Sequence, residues 1–518
     1  MRDNEPKRMF TAAAAPPEPL PVCPTGPVPE LSNWIPLTPL EEMAQTDYDV
    51  LIIGSGAGGG AVLWRLCEHW KRQRKRIGII ERGNQELQMH ARNLPTMNQE
   101  RLVSYFTHLS KPLPGSNPDY PGARQLFALG GRTLFWYTFT PRMNEWDLAK
   151  WPIPVNELES YYGIAEQVMH VTPSFAQGSS FTNILLERLW MRGFSKASPL
   201  PIAADIEPQS FGRIHTDMFT SSISLMARAL NTRPFDLAIN ARAVQILQDQ
   251  GKVAGVHVMT PDKESYTLRA RTVVVCASTF ETPRLLLYSG IRNQALGHFL
   301  TNQTFVQATG RVNTAGFPSP PGPLNIAIPQ TTERPYSVLL TGPEAFYWYP
   351  VAVERPLETE TDVDMLGYGK VQSRYENRIE LNPGKTDEYG IPEIKVHFSL
   401  TPADWNVVGQ MANGIRHMAA AAGIRLAPRN NRPAICLTPL GDLHHDAGTC
   451  RIGDDPSTSA ADRYCQVRGI SGLFVADNSA LPDTGAENQT LTTIALAIRT
   501  ADIIARFDGQ VPGSASRP

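Results

Sequence analysis

The sequence predicts an α/β fold: a helix-wrapped parallel sheet assembled from separated stretches of chain, accompanied by a region built on an antiparallel sheet. Three observations carry this. First, Tyr48–Ile53 is an apolar run rich in branched residues that breaks into Gly54-Ser-Gly56-Ala57-Gly58-Gly59 and resumes with Val62, Leu63, Leu66 and Cys67 at helical spacing, the order strand, turn, helix. Second, apolar runs at 77–80, 241–260, 266–278 and 470–477 read as further strands of the same sheet. Third, residues 336–400 alternate short runs ("YSVLL", "FYWYPVAVE", "RIELN", "EIKVHFS") with Gly, Pro and Asp, as antiparallel strands do.

The elements follow in order. Residues 1–44, with seven prolines between positions 11 and 30, read as an extended Pro-rich leader without the apolar core of a secretory signal. The glycine turn is a GxGxxG motif in a Rossmann-like setting. Gly54 permits the tight turn, Gly56 lets backbone approach a pyrophosphate, and Gly59 lets helix pack on strand, while the helix N-terminus offers free N–H groups. Glu81 closes the strand Ile77–Ile80 about 20 residues further on, where a carboxylate accepts from both hydroxyls of an adenosine ribose. The motif by itself does not separate FAD from NAD. "ARAVQILQDQGKVAGVHVMT" (241–260) turns at Asp249–Lys252, and the next strand ends in the small residues Cys276 and Ala277. A helix is expected to begin at Thr282-Pro283, since proline suits a first turn. The last segment is a strand ending at Asp477, a loop, and an amphipathic helix starting near Asn488 with Leu491, Ile494, Ile498, Ala501 and Ile504 on one face.

Bulk properties narrow the class. A chain of 518 residues exceeds one usual core and implies two or more domains. Its net charge of −2 points to neither nucleic acid nor an anionic membrane surface. No stretch approaches the roughly 18 apolar residues of a membrane span. The six cysteines show no CxxC pair, so neither a disulfide scaffold nor a zinc ribbon is indicated and a cytoplasmic location is expected. Asp442, His444, His445, Cys450 and Cys465 match no zinc spacing.

Four blocks in order, "DYDVLIIGSGAGGG" with "IIERG", "GGRTLFWYTFTPR" (130–142) with "WPIPVNELESYY", "STFETPRLLLYSGI", and "HDAGTCRIG" with "VADNSALPDTGAENQTLT", resemble the glucose-methanol-choline (GMC) oxidoreductases, two-domain FAD enzymes that oxidise alcohols. The resemblance implies a discontinuous FAD-binding domain (45–150, 225–310 and 440–518) and a substrate domain (151–224 and 311–439). It implies His445 as catalytic base, with His444 the competitor, and Asn488 as its partner; an amide orients but takes no proton. Asn488 equally suits a helix N-cap. Cofactor contacts are expected from Gly54, Gly56, Ala57, Gly58, Gly59, Glu81, Arg82, Gly130, Gly131, Arg132, Thr133, Val244, Ala277, Asp477, Asn488 and Thr490. Substrate contacts are expected from His445, Asn488 and Trp136. Where covalent relatives carry a histidine before the loop tryptophan, Phe135 stands here, so FAD is expected to be non-covalent.

The motifs look closest to the pyranose oxidase and sugar-oxidising branch, which implies a sugar, glycoside or aminosugar substrate and an electron acceptor, O2 or another. The acid-rich stretch 354–364 would steer a cationic substrate if it lines the entrance, or else form a solvated loop. Three other functions stay open: a non-redox lyase on the same fold, which would keep FAD without flavin bleaching; a dehydrogenase of non-sugar alcohols; and an NAD enzyme or binding module, which would purify colourless.

Overall fold

The strand Asp47–Ile53 pairs in parallel with Ile77–Ile80 on one side and Ser265–Val275 on the other, and Val50–Ile53 are buried on both faces. This double burial is why the run is apolar without alternation. A computed structural model supplies these coordinates and describes residues 33–94, 96–113, 117–206, 218–318, 322–342 and 359–509. From Leu37 onward the chain forms one compact unit. Asp236–Ala238 and Leu473–Val475 complete the parallel set.

Ser265–Val275 serves two neighbours along its length. Residues 273–275 pair in parallel with Leu473–Val475, while residues 265–269 pair antiparallel with Lys252–Met259. Lys252–Met259 forms a hairpin with Arg242–Asp249, so the sheet is mixed and not wholly parallel as the sequence suggested. The hairpin turns through Gln250 and Gly251, both at positive φ, the geometry whose twist suits a two-residue loop.

Three helices pack together on one face. Ala57–His69, which follows the glycine turn, lies between Ser222–Thr232 and the final helix Thr490–Phe507. The final helix is buried almost all round, more than the single apolar face expected, because Val155–Met169 covers its other side. The helix expected from Thr282-Pro283 instead starts at Ser278 and carries Pro283 inside it. Proline there removes the N–H that would bond the Thr279 carbonyl. The Thr449 hydroxyl donates to that carbonyl at 2.7 Å, which lets the helix run through.

The second sheet is antiparallel, with Gln303–Asn313, Glu360–Lys370, Tyr336–Thr341 and Asn325–Ile328 side by side. Alternation sorts its faces. Val306, Ala308, Val312, Val363 and Met365 pack into a core with Met411, Ile415 and Met418 of the long helix Pro402–Ala422. Gly367 permits this approach, since a Cβ there would lie 2.8 Å from the Met411 sulfur. The runs 378–386 and 392–397 do not join this sheet. They form a separate hairpin whose Ile379, Ile394 and Val396 bury against Phe280 and Leu300, and Arg284 donates to the Pro392 carbonyl at 2.8 Å.

The run 346–354 and most of the expected leader lie outside the described residues. The end of that leader is not extended: Leu40–Ala44 is a helix with Leu40 and Met43 buried. Among the described residues no helix is long and apolar enough to cross a membrane.

Candidate active site

One cavity of about 1340 Å³ lies between the C-terminal ends of the parallel strands and the open face of the antiparallel sheet, the position where α/β sheets bind ligands. Gly54, Gly56, Ala57, Gly58, Glu81, Arg82, Gly131, Arg132, Thr133, Trp136, Val244, Ala277, Asp477, Asn488, Thr490 and His445 all line it. Gly59 and Gly130 do not. Gly59 shapes the turn from behind, since a Cβ on it would lie 1.9 Å from the Gly54 carbonyl oxygen. Gly130, at φ +92°, donates its N–H to the Ser55 hydroxyl at 2.9 Å and so fixes the loop against the glycine turn.

Several wall residues hold the frame together. Glu81 accepts from the Ser55 amide (3.0 Å), the Ser55 hydroxyl (2.6 Å) and the Gly83 amide (2.8 Å); burial raises its pKa. Arg82 stacks on Phe127 and lies 3.2 Å from Glu281. Asp477 accepts from the Ser278 amide, the Thr282 hydroxyl and the Ser479 amide at 2.6–2.8 Å. It thereby ties the last strand to the helix 278–288. The Thr133 hydroxyl donates to Gly130 O and accepts from the Ser222 amide. The Trp136 indole is fixed by donation to Thr220 O at 2.8 Å.

His444 and His445 part company. His444 sits at φ +59°, a turn conformation, and its ring packs 5.3 Å from Phe106. Its carbonyl accepts from Arg132 at 2.9 Å. His445 turns toward the antiparallel sheet, stacked on Tyr368 with centroids 5.8 Å apart. Its Nδ1 lies 2.8 Å from Gln303 Oε1 and its Nε2 lies 3.4 Å from Asn488 Nδ2.

The Gln303 amide decides the histidine tautomer. Its Nε2 sits 2.8–3.2 Å from the carbonyls of Thr484, Gly485 and Glu487, so nitrogen must face them and oxygen must face His445. An oxygen acceptor requires a proton on Nδ1. Nε2 therefore keeps its lone pair, next to Asn488 and the cavity. Burial, with the Arg132 charge second, pulls the His445 pKa down to about 3, which keeps the ring neutral at neutral pH.

Gln303, Tyr368, Asp446 and Glu487 were missed from the sequence: Gln303 and Tyr368 stand outside the four blocks, while Asp446 and Glu487 lie inside them beside His445 and Asn488 without a residue type that marks a role there. Asp446, fully buried, accepts from Tyr120 (2.6 Å) and Asn302 (2.8 Å) beneath the two histidines. Glu487 is buried beside Asp147 and Gln330, and burial raises its pKa to about 8. Asn488 is not the helix cap; Gln489 is.

The cavity fits FAD. A Cβ on Gly56 would meet no protein atom within 4 Å, so that position opens onto free space at a helix N-terminus without a side-chain cap. At the other end, Asn488 Oδ1 and Gln489 Nε2 are buried with no hydrogen-bond partner among the described residues. They are an acceptor and a donor suited to the polar edge of a flavin.

Comparison with known proteins agrees. Two GMC oxidoreductase family models match residues 127–305 and 372–497. The chain is 29% identical to a C-glycoside 3-oxidase of Arthrobacter globiformis, covering 74% of this chain and 75% of that protein. It is 24% identical to a paromamine 6'-oxidase of Streptomyces fradiae, covering 88% and 91%. A solved formate oxidase from Aspergillus oryzae shares the fold, with a TM-score of 0.65 at 14% identity over 88% of this chain and 98% of that one. The chain is a member of the GMC oxidoreductase family, FAD-dependent enzymes acting on CH–OH groups.

Proposed function

We propose that the protein oxidises a hydroxyl of a sugar or glycoside to a carbonyl, with His445 as base and Asn488 as its partner. The observation that carries this is the unprotonated Nε2 of His445, held open to the cavity by the Gln303 bond at Nδ1. Bound FAD supplies the hydride acceptor. His445 Nε2 takes the hydroxyl proton, and the alkoxide character this gives the oxygen drives hydride departure from the carbon. General base catalysis of this kind contributes about 10²–10⁴-fold. Asn488 Nδ2 donates to the substrate oxygen, and the Tyr368 ring holds the imidazole plane. The names of the relatives, a C-glycoside oxidase and an aminoglycoside oxidase, support the sugar class.

The nucleotide would be held by Gly54–Gly58, Glu81, Arg82, Gly131–Thr133, Val244, Ala277, Asp477 and Thr490. Phe135 offers no nucleophile beside Trp136, which supports dissociable FAD. We assign 45–150, 225–310 and 440–518 to the FAD part and 151–224 and 311–439 to the substrate part. Every parallel strand falls in the first set, which supports the division, while the antiparallel strand Gln303–Asn313 runs across the boundary at 310. The test is anaerobic addition of sugars, glycosides and simple alcohols to the yellow holoenzyme. Bleaching by sugars supports the reading and recovery in air identifies O2 as acceptor; bound flavin that no alcohol bleaches would favour the lyase.

A further inference from the structure

We infer that the cavity carries a second subsite, beyond the oxidised ring, for the uncharged hydroxyl-rich remainder of a glycoside; this rests on reading His445 and Asn488 as the oxidation site. The front face of Gln303–Asn313 starts at Gln303, beside His445, and continues through Phe305, Gln307, Thr309 and Arg311. Tyr368, Leu366, Asp364 and Asp362 stand opposite the last four in register, and all eight line the cavity. Each step of two residues advances about 7 Å. The wall is therefore graded. Phe305 and Tyr368, 5.2 Å apart, form an aromatic band one step from Gln303, whereas Thr309 and Asp364 stand three steps out, about 20 Å along the strand. One pyranose ring seated at His445 reaches the first band and not the second.

The outer band is built from ion pairs. Arg429 pairs with Asp364 and lies 3.5 Å from Asp362. Arg311 pairs with Asp362 at 3.0 Å, and Arg425 with Glu360 at 2.9 Å. Arg432 donates to Gln307 at 3.1 Å and has no ion pair among the described residues. The described acids of the 354–364 stretch are therefore neither a solvated loop nor free to attract a cation: they lie in a strand and are matched by arginines. A locked guanidinium–carboxylate pair instead offers a donor edge and an acceptor edge together, which suits neighbouring hydroxyls, each able to accept and donate.

The test compares kcat/KM for glucose, cellotetraose and the fully amino-substituted tetrasaccharide of glucosamine, using holoenzyme; four rings are used because two rings seated at His445 stop short of a band about 20 Å out. Cellotetraose is expected to exceed glucose by about tenfold, the worth of one charged hydrogen bond, and the tetraamine to fall below cellotetraose. Arg429→Met, Asp364→Asn and the milder Thr309→Val, each checked for bound FAD, should lower the cellotetraose-to-glucose ratio. A parent ratio near one, a preference for the tetraamine, or an unchanged ratio in all three FAD-loaded variants overturns the subsite. If glucose bleaches the flavin and cellotetraose does no better, only the subsite fails; if no sugar bleaches bound flavin, the oxidation-site reading fails with it.

Discussion

Gln303→Leu is the sharpest perturbation of the site. It removes the acceptor 2.8 Å from His445 Nδ1 and leaves a buried N–H without a partner, at a cost of about 1–3 kcal/mol. That cost falls only on the tautomer whose Nε2 is free to take a proton. The competent population, and with it the flavin reduction rate, should drop between about 5-fold and 150-fold. The assay is anaerobic stopped-flow reduction with saturating sugar, normalised to bound FAD. Leucine also frees the carbonyls of Thr484, Gly485 and Glu487, so Gln303→Glu is the necessary companion. A carboxylate restores the Nδ1 acceptor without restoring the donors to those carbonyls. It should recover most of the rate and raise the histidine pKa, introducing a loss of rate at acid pH. A leucine variant that keeps its FAD and reduces within twofold of the parent would refute the tautomer argument.

Other consequences are independent of that one. Because burial holds His445 near pKa 3, its neutral form is lost only as pH falls through about 3; flavin reduction should be level between pH 5 and 8, and a titration centred near 6.5 would contradict it. Glu487 has a folded pKa of about 8 against an ordinary 4.5, so between those values the folded state holds a proton that the unfolded chain has released. Stability should therefore fall as pH rises through this window, and Glu487→Gln should flatten the decline in melting temperature. Gly56→Val places two methyl groups in the free space at the glycine turn, and should give folded protein without yellow colour, read by far-UV circular dichroism and absorbance at the flavin band.

The nucleotide half was readable because its constraints are local. Gly54 and Gly56 end a strand and open a helix within one stretch of chain, and Glu81 closes the neighbouring strand, so the turn that lines the cavity and that we propose holds the nucleotide could be read locally. The pairing of His445 with Asn488 came from resemblance, not from spacing, since 43 positions separate them. Gln303 and Tyr368 were silent for a physical reason: each sits in a strand where only the register with its neighbour brings it to the histidine. The helix start at Ser278 escaped the rule for proline because a distant hydroxyl, that of Thr449, satisfies the carbonyl that Pro283 frees. The acids at 360–364 read as free charge because their arginine partners lie about 50 or more residues away in sequence.

The central claim is that His445 Nε2 accepts the substrate proton, and single-turnover flavin reduction in His445→Ala tests it most directly. With FAD bound at the parent's level and sugar saturating, the rate should fall by about 10²–10⁴-fold. Reduction at the parental rate in that loaded variant would contradict the account.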